Sequence, residues 1–189
     1  MKPLTATLAL ILLIFSASAQ IIPVKNPLQT DIAKVISDYP NGFKNISGEQ
    51  LMENPQATEF ESRVEIKDAK CRVIKYSSTT KDIFSWEAEM LKTEDFEEAS
   101  KKFRSFYNSL QYLSVNINGT NAVFKSEYIK PSQSIKFTTI VFDAGDKNEE
   151  LKNLKIALVL ETAMLDWVIK IQVYEKERDD KDRGRQIDK

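Results

Sequence analysis

Residues 59–66 alternate strictly. Phe60, Ser62, Val64 and Ile66 stand between Glu59, Glu61, Arg63 and Glu65. A period of two sends successive side chains to opposite faces, so this stretch predicts a half-buried strand with a charged outer side. Lys67-Asp68 predicts a tight turn into a second strand, Lys70 to Ser77. A third strand is expected over Ile83 to Leu91, with Phe84, Trp86, Ala88 and Met90 sharing a face. The period then lengthens. Phe96, Ala99, Phe103, Phe106 and Leu110 recur at helical spacing, opposite Glu97, Glu98, Lys101, Lys102 and Arg104. That predicts an amphipathic helix of about five turns, capped by Thr93, with Glu94 and Asp95 placing negative charge in its first turn.

Asn118-Gly119 is a strong hairpin signal, joining Leu113 to Ile117 with Asn121 to Glu127. Further strands are expected near Ile135 to Phe142, Leu154 to Glu161 and Trp167 to Glu175, with a polar loop over residues 143–150. Upstream, Thr30 caps a short helix through Ile32, Val35 and Ile36, which Pro40 ends. Residues 21–29 read as an extended lead-in and 43–57 as irregular.

Short turns between consecutive strands imply antiparallel pairing. The order of elements predicts an α+β fold: a twisted antiparallel sheet of about six to eight strands packed on one long helix, with a short N-terminal helix. Phe84, Trp86, Ile156, Leu158, Leu160, Trp167, Ile169 and Ile171 are the expected core under the long helix. The opposite parity holds Ile74, Tyr76, Ile140, Phe142, Val159, Val168 and Tyr174, less polar than a wet face should be. Two covers are open for it. One is the N-terminal helix with the 43–57 segment; the other is a ligand or partner. Tyr76, Phe142 and Tyr174 are the candidate binding residues of that second reading.

The two ends differ from the middle. Lys2, the apolar run Leu8 to Phe15 and Ala17-Ser18-Ala19 form the three-part pattern of a secretory signal peptide, with cleavage between Ala19 and Gln20. An uncleaved anchor is the competing reading, because Ile21, Ile22 and Val24 prolong the apolar stretch. Ser16, Ser18, Gln20 and Pro23 interrupt it, so no membrane span is expected after cleavage. The expected organisation is a signal peptide over 1–19, one domain over 20–175 and a charged, unstructured tail over 176–189. That tail carries six basic and five acidic residues among fourteen.

Composition then removes chemistry. The chain of 189 residues has no histidine and one cysteine. It can build no Ser-His-Asp triad, no Cys-His pair, no His-ligated metal and no internal disulfide. Its five glycines are too scattered for a phosphate-binding loop. A formal net charge of −1 gives no pull toward nucleic acid. No cofactor and no metal site are expected. Cys71, on the second strand, reads either as a buried, inert thiol or as a reactive or intermolecular one. Glu87 and Glu89 share a strand face, as ion-paired outer residues or as a carboxylate acid/base pair. Asp143, Asp146, Asn148, Glu149 and Glu150 offer oxygen donors without the spacing of an EF-hand. Asn45-Ile-Ser47 and Asn118-Gly-Thr120 match the N-glycosylation triplet.

Tyr39-Pro40-Asn41-Gly42-Phe43, Ser85-Trp-Glu-Ala-Glu-Met-Leu91, Thr93-Glu-Asp-Phe-Glu-Glu-Ala99 and the Ala17-Ser-Ala-Gln20 junction together resemble small secreted proteins of the Bacteroidota envelope type. The resemblance implies a periplasmic or outer-envelope setting and carries no activity or site residue. The expected function is therefore a secreted or periplasmic, non-enzymatic domain binding a ligand or an envelope protein through a sheet face. The alternatives are a carboxylate-dependent hydrolase, or an envelope assembly factor acting as a homodimer.

Overall fold

The structure, a computed structural model, describes residues 26–77, 82–145 and 151–176. The Ala19/Gln20 junction and the tail beyond Lys176 lie outside the described residues. The chain runs α1 (Pro27–Ser37), a single tight helical turn (Tyr39–Asn41), β1 (Ser47–Glu53), β2 (Ala57–Ser62), β3 (Lys70–Tyr76) and β4 (Ile83–Thr93). It continues through α2 (Phe96–Leu110), β5 (Ser114–Ile117), β6 (Thr120–Val123), β7 (Phe137–Asp143), β8 (Leu154–Ala163) and β9 (Asp166–Glu175). The fold is α+β. Seven strands form one antiparallel sheet in the order β1-β2-β3-β4-β9-β8-β7, and β5-β6 pair apart from it.

Helix α1 starts earlier than Thr30. The Asn26 side chain accepts from the Leu28 N–H at 3.1 Å, and Pro27 fills the first helical position, where a missing N–H costs nothing. Asp38 ends it and organises the segment leading to β1. Its buried carboxylate accepts from the Asn45 backbone N–H (3.0 Å), the Ile46 N–H (3.2 Å) and the side-chain amides of Asn41 (2.8 Å) and Asn45 (2.7 Å). The chain is thereby turned into β1, a strand where irregular structure was expected. Two register shifts against β2 explain why β1 shows no clean alternation.

Helix α2 is fifteen residues, roughly four turns, and so shorter than expected. Asp95 is its cap, accepting from the Glu97 and Glu98 N–H groups at 2.8 and 3.4 Å. Thr93 belongs to β4, and its hydroxyl braces the junction by donating to Glu98. Ala99, Phe103, Tyr107 and Leu110 are buried, while Phe106 is only partly so. The expected hairpin forms where Asn118-Gly119 places it, with φ of 50° and 82° at the two turn residues. Gly119 takes that conformation without strain.

The layers are one-sided. Ile32, Val35 and Ile36 of α1 enter the same core as Ala99 and Phe103 of α2, Val115 and Ile117 of the hairpin, and Trp86, Ile156, Leu158, Ile169 and Ile171 of the sheet. Helix α1 contacts α2 and β5 rather than the far side of the sheet. The N-terminal helix therefore does not cover the second face. The sheet rests on two helices and a hairpin instead of on one long helix.

Strand β4 lies at the middle of the sheet, and Trp86 on it is wholly buried. Its indole N–H donates to Ser62 Oγ at 2.8 Å. That hydroxyl in turn donates to the Val64 carbonyl (2.7 Å) and accepts from the Val64 N–H (3.1 Å). The contact ties β4 to the end of β2 across the intervening β3. Ser62→Ala leaves the indole N–H buried and unpaired. Urea denaturation should show a loss of about 1–3 kcal/mol, whereas an unchanged midpoint would mean the indole is not held by Ser62.

Candidate functional site

The second face of the sheet carries no helix among the described residues. Its side chains line up as cross-strand rows. One row is Glu59, Ile74, Ser85, Tyr174 and Lys155; the next is Glu61, Arg72, Glu87, Gln172, Ala157 and Val141; the third is Lys70, Glu89, Lys170, Val159 and Thr139. Directly opposite residues in antiparallel strands touch, so each row is a ladder of side-chain contacts.

Charge is concentrated in the centre of this face. Glu87 is only 4% exposed, and both its oxygens have donors. Arg72 donates to Oε1, and the Gln172 amide donates to Oε2 at 2.8 Å. Arg72 also reaches Glu59 at 3.0 Å. Lys170 pairs with Glu161 at 2.7 Å, and Lys70 stands 3.5 Å from Glu89. Burial by itself lowers the pKa of Lys170 and of Arg72. The hydrogen bond that Lys170 donates to Glu161, with the fields of Glu87 and Glu161, more than reverses this for Lys170; Glu87 and Glu59 do so for Arg72. Both cations are thus held charged. Glu87 and Glu89 do share a face, but each is engaged by a cation, which is the geometry of counter-ions.

Toward one end of the face the rows become aromatic. Tyr76, Ile83, Phe84, Ser85, Gln172, Tyr174 and Glu175 line a groove of about 250 Å³. Tyr76 is 40% exposed, and its hydroxyl accepts from Ser85 Oγ at 3.3 Å. Two of the three candidate residues, Tyr76 and Tyr174, therefore meet here. The third does not. Phe142 is wholly buried on the helix side, its ring 5.7 Å from that of Tyr107. Ile140 is buried in the same core. In the run Ile140-Val141-Phe142 every position is apolar, so alternation gives no sign of which residue turns inward. The register decides it: Val141 lies opposite Ala157 on the helix-free side, and Phe142 lies opposite Ile156 in the core.

Arg72, Lys170 and Gln172 do not stand out in the sequence, although a signal exists. Lys170 and Gln172 share parity with Tyr174, and Arg72 shares parity with Tyr76. Cys71 faces the other way, opposite Ala88, and is half-buried. Burial pushes its thiol pKa up, a backbone hydrogen bond at Ile66 opposes this, and Glu65 and Asp31 add to the rise. The thiol is held protonated and weakly nucleophilic at neutral pH. Of the polar loop, only Asp143 to Gly145 are described, with Asp143 accepting from the Gly145 N–H at 2.9 Å. The described residues hold no cluster of metal-ligating groups. Asn45 is engaged by Asp38, and Asn118 forms the hairpin turn.

Arg72→Leu leaves Glu87 buried without its cation and should cost about 3 kcal/mol. Glu87→Gln keeps the shape and a hydrogen-bonding partner for Gln172, so it should cost about 1 kcal/mol or less. Chemical denaturation of both variants checks the asymmetry; equal losses would mean that charge burial is not what Arg72 offsets. Comparison with known protein families, curated proteins and solved structures found no match.

Proposed function

We propose that this chain is a secreted or periplasmic, non-enzymatic domain that binds a small ligand or a protein through the helix-free face of its sheet. The observation that carries the reading is the groove of Tyr76, Ile83, Ser85, Gln172, Tyr174 and Glu175 beside a field of paired charges. Ligand sites combine apolar and aromatic walls with a few fixed polar groups. Here two phenol rings and an isoleucine supply the walls. A hydroxyl, an amide and a carboxylate supply the orienting groups. The neighbouring ion pairs add rigidity: Gln172 is held by Glu87, which is held by Arg72. That fits an amphipathic ligand with a flat face and a hydrogen-bonding edge, such as a sugar ring or a short peptide. Secretion rests on the Met1–Ala19 pattern alone. No described helix is long and apolar enough to cross a membrane.

Backbone amide shifts recorded against a panel of mono- and disaccharides and short neutral peptides should move first at Tyr76, Ile83, Ser85 and Gln172. Tyr76→Ala should weaken any such binding by about tenfold or more. Shifts that gather elsewhere, or binding indifferent to Tyr76→Ala, would argue against the groove. For the location, the protein expressed with its own leader in a Gram-negative host should appear in the periplasmic fraction with Gln20 as its first residue. Retention of Met1 in the cytoplasmic fraction would sink that part of the reading.

A further inference from the structure

The two edges of the large sheet are built differently. The β1 edge is interrupted by two register shifts and carries Glu49, Gln50 and Glu53. Bulges and charges are the usual means of stopping a sheet from pairing with another chain. Over Phe137 to Phe142 the β7 edge has neither. Its sequence is Phe-Thr-Thr-Ile-Val-Phe before Asp143, and its register against β8 is unbroken from Phe137 to Asp143.

The backbone geometry shows which groups this edge presents. Asp143 exchanges both backbone hydrogen bonds with Lys125, on the side away from β8, at 3.1 and 3.3 Å. The Lys136 carbonyl accepts from Thr162 on the β8 side at 3.0 Å. Outward and inward positions alternate along an antiparallel strand. The N–H and C=O groups of Phe137, Thr139 and Val141 therefore point outward, and they meet no backbone partner among the described residues. Lys125 pairs with the edge at Asp143, and the stretch 137–141 is a window whose outward side has no backbone partners among the described residues. The side chains of those three residues lie on the helix-free face. Phe137 is 57% exposed and Val141 38%. Between them, Thr139 Oγ1 is buried without a hydrogen-bond partner.

We propose that this window pairs with the same window of a second copy, antiparallel about a two-fold axis at Thr139. The window is self-complementary. Pairing Thr139 with its twin sets Phe137 opposite Val141 on both sides of the axis, an aromatic–β-branched contact favoured across strands. All three outward residues fall in hydrogen-bonded pairs, so every open N–H and C=O between 137 and 141 gains a partner. A turn about χ1 brings the orphan Thr139 hydroxyl to the twin hydroxyl. The antiparallel arrangement sets the Lys136 end of each copy beside the Asp143 end of the other along the backbone, with those two side chains on opposite faces of the joined sheet. Like ends would meet in a parallel one. Such contacts are isologous and close on themselves, which yields dimers rather than fibres. This seam is distinct from the tyrosine groove, which lies across β3, β4 and β9. A five-residue seam is smaller than the about 800 Å² per partner of a standard interface. The expected state is a concentration-dependent monomer–dimer equilibrium.

Sedimentation velocity on the purified protein from micromolar to millimolar concentration should show the shift to dimer. Thr139→Lys places two ammonium groups face to face and should keep the protein monomeric throughout, with its melting transition retained. Register is tested by cross-linking. In the proposed pairing, the two Cα atoms at 139 lie about 5.5 Å apart, within disulfide range. Those at 141 lie about 14 Å from each other. Under mild oxidation, Cys71→Ser/Thr139→Cys should give a covalent dimer and Cys71→Ser/Val141→Cys should not. Three outcomes overturn the proposal: a wild-type protein monomeric at all concentrations, a dimer that survives Thr139→Lys, or equal cross-linking at 139 and 141. The first would leave the edge to a strand from another protein. The wild-type sedimentation result decides the matter even if a variant fails to fold.

Discussion

Strand β4 carries two consecutive side chains with opposite demands, and the rest of the structure is arranged around satisfying both. Trp86 is wholly buried on one side of the strand, where only a thick apolar layer can contain an indole. Glu87, next in the chain, turns to the other side and is almost as inaccessible, where a carboxylate persists only with donors on both oxygens. Because β4 stands in the middle of seven strands, each demand reaches neighbours on either hand. Trp86 recruits Ser62 through its N–H and sits in the core formed with α1, α2 and the hairpin. Glu87 recruits Arg72 from β3 and Gln172 from β9.

The result is a sheet with two unlike faces. On the helix side, shape complementarity among apolar groups holds the layers together, and no disulfide contributes, since Cys71 is a single free thiol. On the helix-free side, ion pairs lock long side chains that would otherwise move. Each isolated pair on a wet surface adds little to stability. A buried, fully satisfied set does something different: it fixes orientation, because every displacement leaves a charge unpaired. The proposed groove and the proposed edge seam involve different strands, so occupation of one need not obstruct the other.

Several elements could be read directly from the chain. The α2 stripe, the Asn118-Gly119 hairpin and strands β3, β4, β8 and β9 appear within a few residues of where the sequence pattern puts them, because each has a continuous buried side bounded by turn residues or charges. Strand β1 could not be read, since its bulges break alternation and its existence depends on pairing with β2. The start of α1 was legible in principle: Asn26-Pro27 is a cap followed by a first-turn proline, and Thr30 competes with it only because acidic and apolar residues come directly after. The groove was half legible. Tyr76 and Tyr174 were on the expected face, but nothing local shows that β9 returns beside β4 and brings them together.

Periodicity by itself determined which residues share a side within each element, and composition determined which chemistry the chain lacks. Those are properties of single segments, set by the 2-fold and 3.6-fold geometry of the backbone. Only the tertiary structure decided which side faced what. It sent Phe142 inward under Tyr107, put α1 beside α2 instead of across the sheet, and gave Glu87 a cation from one neighbouring strand and an amide from another. The reason is that a face is buried by its neighbours, and strand order is a long-range choice made by the summed packing of all of them. No stretch of the sequence carries that sum alone.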